Sequence, residues 1–151
     1  MSRAAPLPVV LAVVMLVGCG QPPAPEVTFS ADGRTARAGP IRYCDIQLTE
    51  CQNNDSAVAV LSVAPGRPVQ ISVPEPVAAT PWQVVFRYRA GGQPVEGRSQ
   101  VFAAGRQHDY TLQMPGGATL ETVEIQQYGA PELVGGEPNF RIRASWVLAV
   151  R

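Results

Sequence analysis

The chain has no lysine and a single histidine, His108, among 151 residues, and its twelve arginines are matched by twelve carboxylates, so the formal charge is zero. That balance excludes the overall basic excess with which proteins hold nucleic acid. One histidine and three cysteines leave too few soft ligands for a zinc site. Helical periodicity is missing beyond the first eighteen residues, which excludes a helical bundle. There is no glycine loop that opens a helix, since Gly91-Gly92, Gly116-Gly117 and Gly135-Gly136 fall between strand-like segments, so no phosphate cradle is expected. A run long enough to span a bilayer is lacking too, because the apolar stretch from Leu7 to Val17 has about eleven residues where roughly 20 are needed.

That short run is nonetheless the strongest motif present. Arg3 is the only charge ahead of it, and it closes on Leu16-Val17-Gly18-Cys19. A cysteine placed just after a small residue at the end of such a run is the acceptor of a diacylglyceryl thioether in a bacterial lipoprotein signal. Residues 1–18 are read as a signal peptide that is removed, leaving lipidated Cys19 at the new N-terminus and the chain anchored to the outer face of the cell membrane. Residues 19–26 are read as a tether: Pro22, Pro23 and Pro25 favour an extended polyproline conformation, which at about 3.1 Å per residue spaces the following domain roughly 20 Å from the bilayer.

Residues 27–151 suit one domain. Valine is about twice as frequent as leucine, and strand-like segments recur between breakers, so an all-β fold is expected. Val27 to Ala31 and Arg34 to Ala38 flank Asp32-Gly33 and predict a hairpin. Ile41 to Cys44 follows Gly39-Pro40, and a second break falls at Gln52 to Asp55. Seven further strands are predicted over residues 57–63, 69–73, 82–89, 99–103, 108–114, 120–128 and 140–150. In the third, Trp82, Val84, Phe86 and Tyr88 share one face; in the last, Phe140, Ile142, Ala144, Trp146, Leu148 and Val150 point inward. The expected architecture is an immunoglobulin-like β-sandwich with an extra N-terminal hairpin.

Once Cys19 is lipidated, Cys44 and Cys51 remain, and an even pair in an oxidising compartment is most simply a disulfide, a redox pair or a metal site being the alternatives. Seven residues fully extended span roughly 23 Å, far more than a bridge allows, so Asp45 to Glu50 must double back.

Catalytic groupings are weak. His108 and Asp109 adjoin on one strand and point to opposite faces, so Asp109 does not orient His108 toward a nucleophile such as Ser99 or Ser145. Glu121 and Glu124 also point apart, and Glu132 and Glu137 flank a glycine loop. The better candidate is a set of four arginines. Arg87 and Arg89 alternate outward on one strand, Arg141 and Arg143 on another, and if these strands are neighbours they form one patch for carboxylate or phosphate groups; a solvated face balanced by Glu121 or Glu124 is the plainer reading.

At Gly39 to Cys51, Pro81 to Arg89, Gln126 to Pro131 and Arg143 to Val150 the chain resembles a family of actinobacterial secreted lipoproteins, the domain of unknown function 2771. The resemblance implies an envelope protein without an assigned activity and supports the pairing of Cys44 with Cys51, which fall in one resembling segment. The resulting expectation is a non-enzymatic module, needing no cofactor and no metal, that binds an envelope protein, glycan or lipid. The alternatives are a carrier of an apolar ligand between its sheets and, third, a hydrolytic enzyme.

Overall fold

The computed structural model of the chain describes residues 1, 18, 20 and 22–151, so Cys19 and the whole apolar run from Leu7 to Val17 lie outside the described residues. Over the rest the protein is a two-sheet β-sandwich. Strands β1 (Val27–Ala31) and β2 (Arg34–Ala38) form the expected hairpin. Asp32 and Gly33 at its tip have φ of 50° and 72°, the left-handed pair that lets a two-residue turn follow the twist of its strands. On its other edge β1 pairs with β6 (Val69–Ser72), and β6 with β9 (Asp109–Leu112), giving a four-stranded sheet of order β2-β1-β6-β9.

The second sheet contains β3 (Pro40–Cys44), β4 (Cys51–Asn53), β7 (Trp82–Ala90), β8 (Gln93–Arg98), β10 (Thr119–Tyr128) and β13 (Ile142–Val150) in the order β4-β3-β13-β10-β7-β8. One edge of β13 is shared: β3 runs antiparallel along Ala144 to Trp146, and β5 (Ala59–Leu61) runs parallel along Leu148 to Val150. Strands β11 (Glu132–Val134) and β12 (Glu137–Asn139) form a separate hairpin beyond the end of β10.

The facing sides of the two sheets enclose one apolar cluster. Val27, Phe29, Val69, Ile71 and Leu112 of the smaller sheet meet Trp82, Val84, Val123, Ile125, Trp146 and Leu148 of the larger, all of them fully buried. Burying a side chain of this kind stabilises the fold by about 1.5 to 3 kcal/mol. The facing sides of the two sheets are thus occupied by large apolar side chains of the protein itself.

Several expectations are corrected. Residues 99–103 are not a strand; Gln93–Arg98 is, as the edge strand β8, and Phe102 makes only an isolated bridge to Trp82. Pro94 is tolerated because an edge strand leaves one side of its backbone unpaired. Gly97 is required there, because the Phe86 ring lies over its Cα where a Cβ would stand. Residues 57–63 shorten to β5 after a 3-10 turn at Asp55–Ala57, and Gln52 and Asn53, expected to begin a break, belong to strand β4. A single helical turn, α1 (Glu75–Ala78), too short to show a period, crosses the end of the sandwich. Phe140 is 45% exposed and not inward-facing, since β13 begins only at Ile142, with a register shift between Gln127 and Tyr128 on β10.

Candidate functional site

The end of the sandwich where β3 stops and β13 starts carries the most varied side chains. Cys44 and Cys51 are direct partners across the β3–β4 hairpin, with Cα atoms 4.0 Å apart, and they are joined by a disulfide. The intervening segment doubles back as the spacing required, with Leu48 at φ 60°. Asp45 organises that turn: its carboxylate accepts from the Thr49 hydroxyl at 2.6 Å, the Thr49 amide at 2.7 Å and the Glu50 amide at 3.1 Å. The Thr49 hydroxyl, then the Glu50 amide, hold the Asp45 carboxyl below the ordinary aspartate range, against a smaller opposing effect of burial.

Beside this loop lies a groove of about 990 Å³ lined by Tyr43, the disulfide, Arg143, Pro22 to Pro25, Pro74 and Pro76. Arg143 is fixed in two ways, its Nε donating to the Cys44 carbonyl at 2.9 Å and its guanidinium lying 5.4 Å from the centre of the Tyr43 ring. Tyr43 meets Trp146 edge-on at 6.4 Å. The indole N–H of Trp146 in turn donates to the Pro25 carbonyl at 2.8 Å. Residues 22–25, read from sequence as a free spacer, thus run along the domain, and their last carbonyl is bound by a core side chain.

The four arginines are not brought together. Strand β10 separates β7 from β13, and Arg87 is level with Thr122 and hence with Ala149, six residues along β13 from Arg143, about 20 Å at strand rise. Arg89 is occupied by Glu121 and the Gly92 carbonyl, and Arg87 stands opposite Glu96 on β8. Arg141 pairs with Glu132 at 3.4 Å and lies just before β13. Of the set, Arg143 alone lines the groove. His108 points toward Glu75, at 3.4 Å, while the adjoining Asp109 leads into β9.

Sequence reasoning missed a polar row on the outer side of the larger sheet. The Tyr128 hydroxyl donates to Gln83 Oε1 at 2.9 Å, Gln83 Nε2 donates to the Ser99 carbonyl at 2.6 Å, and Gln126 Nε2 donates to Glu124 at 3.2 Å. Gln83 and Gln126 are each only 9% exposed. Burial pushes the Tyr128 hydroxyl above the ordinary phenol range. Ser99, imagined as a nucleophile, instead accepts from the Val84 amide and donates to the Gln100 carbonyl. These groups bond to one another, so the row holds the sheet and its edge together. Gln127, on the inner side, donates to the carbonyls of Pro76 and Val77 and so fastens α1 over the sandwich. The signal for the row was present in Gln83, Gln126 and Tyr128 alternating with core residues, but strand order was needed to bring it together.

Among the described residues no cluster of His, Cys, Asp and Glu has the makings of a metal site, and no helix is long and apolar enough to cross a membrane.

An all-β sandwich with a disulfide-closed hairpin at one end defines the class. The chain belongs to the family described as "Protein of unknown function (DUF2771)", whose model matches residues 20–132. It is similar to the "Uncharacterized protein Rv0875c" of Mycobacterium tuberculosis strain H37Rv, with 33% identity over 96 residues, covering 56% of this chain and 59% of that protein. The "Uncharacterized protein Mb0899c" of Mycobacterium bovis matches with the same identity and coverage. The chain thus spans less than two thirds of the length of these curated relatives. No solved structure matches it.

Proposed function

We propose that this protein is a membrane-anchored, extracytoplasmic binding module with no catalytic activity of its own, and that the groove beside the disulfide loop receives a component of the cell envelope. The observation that carries the reading is the groove's construction: apolar prolines and Tyr43 supply contact area, and Arg143, held by Cys44 and Tyr43, supplies one oriented cation at its wall. Membrane anchoring is supported by the apolar run that ends in Leu16-Val17-Gly18-Cys19. The absence of catalysis is supported by His108 facing a carboxylate and no nucleophile, and by Ser99 serving the backbone.

Two measurements test the two halves separately. Labelled fatty acid fed to cells enters the native protein and not a Cys19→Ser variant; equal labelling of both rejects the anchor. A photoreactive residue at Gln52, on the groove's rim, captures an envelope component in intact cells, and the capture falls in an Arg143→Gln variant. Capture that is the same from Gln52 as from Val60, at the other end of β13, rejects the groove.

A further inference from the structure

We infer that the end of the sandwich carrying the disulfide loop and the β11–β12 hairpin lies against the lipid bilayer, with the tip of that hairpin entering the interface. This deepens the reading of Cys19 as a lipid anchor and rests on it.

The first observation is where the exposed apolar side chains are. Leu133 and Val134 at the hairpin tip are 76% and 59% exposed, Phe140 at its base 45%, and Ile46 in the disulfide loop 62%. The base of the hairpin adjoins the loop: the Gly129 amide donates to the Arg141 carbonyl, and an added Cβ on Gly129 would stand within 4 Å of the Leu48 side chain and the Ile46 carbonyl. Scattered single apolar residues on a surface need no explanation, whereas four gathered at one end of a sandwich mark an interaction face. Val60, also exposed, sits at the opposite end beside Ala149.

The second observation identifies the occupant. Pro22 to Pro25 line the groove next to Asp45, Thr49 and Glu50, so the tether leaves the domain at this end. Cys19 is three residues before Pro22, and three residues reach at most about 11 Å however they are arranged. Because the Pro25 carbonyl is held by Trp146, slack cannot be drawn from further along the chain without breaking that bond. A lipid on Cys19 therefore brings the bilayer to the same end that carries Leu133 and Phe140.

The hairpin is built to enter an interface. Its two strands pair with each other at Glu132–Asn139, Leu133–Pro138 and Val134–Glu137, so the backbone groups facing across the hairpin are satisfied, while its outer edges suit the hydrated interface and not the hydrocarbon core. Gly135 and Gly136, at φ 62° and 88°, close the turn without a side chain, leaving Leu133 and Val134 as the projecting groups. Glu132 on β11 is paired with Arg141, and Glu137 on β12 stands opposite Val134 at the tip, which limits entry to the hydrated headgroup layer. No cationic excess is present there, so apolar insertion and not attraction to anionic headgroups supplies the contact, and salt should not weaken it.

The test uses the full chain, produced lipidated and placed in phosphatidylcholine vesicles whose acyl chains are brominated near the headgroup. Trp82 and Trp146 are buried and supply a constant background. A Leu133→Trp variant should lose about half of its added emission to the bromines, as expected for a group buried 5 to 10 Å into the interface, equally at low and high salt. A Val60→Trp variant should be unaffected. The N-terminal peptide is weighed in parallel to establish the lipid on Cys19. A lipidated protein whose Leu133→Trp emission is unquenched overturns the inference and leaves the anchor standing; that is also the result if this face is covered by a protein partner. An unmodified Cys19 overturns the anchor, and the inference with it.

Discussion

Truncating Trp146 tests the core and the docking of the tether in one experiment. Its ring is fully buried between the sheets, edge-on to Tyr43, and its N–H holds the Pro25 carbonyl. Trp146→Ala removes the ring and leaves a cavity among side chains already fixed by β10 and β3, a change that costs about 3 to 5 kcal/mol. Against an ordinary stability of about 5 to 15 kcal/mol that is a large share. At the entropy of unfolding usual for a chain of this size, about 4 °C of melting midpoint corresponds to each kcal/mol, so the midpoint should fall by about 12 to 20 °C.

Trp146→Phe separates the two contributions. It keeps most of the ring and loses the donor, for about 0.5 to 1.5 kcal/mol from the hydrogen bond and a further amount of about 1 kcal/mol from lost area. The midpoint should drop by about 6 to 10 °C, and limited proteolysis should cut residues 22–26 faster than in the native protein, where the Pro25 carbonyl is held. Thermal unfolding followed by far-ultraviolet circular dichroism gives the midpoints, and mass analysis gives the cut site. A Trp146→Ala protein that melts cooperatively within about 5 °C of the native one refutes the packing argument. Equal cutting in native and Trp146→Phe protein refutes the docked tether.

Four other outcomes are expected. Replacing Cys44 and Cys51 together by Ser opens a loop of eight residues and should cost about 2.5 kcal/mol on the chain-entropy model, seen as a lower midpoint that reductant also produces in the native protein and does not change in the variant. Gly97→Ala drives a methyl group into the Phe86 ring and should cost about 1 to 3 kcal/mol; Phe86→Leu in the same chain should recover most of it, and an equal loss in both backgrounds argues against the contact. The Asp45 carboxyl, depressed by Thr49 and Glu50, steadies the disulfide loop fully above the ordinary aspartate range, and that contribution disappears as pH falls through its lowered folded value; a carbon-13 titration of Asp45 at or above the ordinary range contradicts this. Because the arginines fall into two separated groups, exchanging Arg141 and Arg143 for Gln should reduce capture from Gln52 while exchanging Arg87 and Arg89 should not; the reverse order would place the binding face on β7.

What was legible in the sequence was whatever repeats every two residues within one strand. Val27, Phe29 and Ala31, and Ala144, Trp146 and Leu148, are inward as their alternation requires, and Asp32-Gly33 turns a hairpin as its chemistry requires. Strand order has no such local signature. Alternation made Arg87, Arg89 and Arg143 outward-facing but said nothing of β10 between them, nor of the offset that sets them about 20 Å apart along the sheet. Strand β8 was missed because Gly91, Gly92, Pro94 and Gly97 all argue locally against a strand, whereas an edge position tolerates the proline and the Phe86 ring occupies the space above Gly97.

The same reasoning locates function. The Asp32-Gly33 turn and the long strands β7, β10 and β13 follow local rules, and in them sequence and structure largely agree; the groove, the disulfide loop and the β11–β12 hairpin are assembled from segments with no period, joined by contacts distant in sequence such as Trp146 to Pro25 and Arg143 to Cys44. Departures from local consistency concentrate where a protein keeps something other than stability. Apart from β8, they lie at one end here: Phe140 and Ile46 uncovered, prolines lying against the fold without pairing, and an arginine held over a tyrosine at the wall of a groove. The opposite end, where β5 closes the edge of β13 and the Arg151 amide donates to the Leu61 carbonyl, shows no comparable grouping of uncovered apolar residues among the described residues. If the chain is anchored as proposed, one end must meet the bilayer and its immediate surroundings, and the end marked by these departures is the one along which residues 22–25 run.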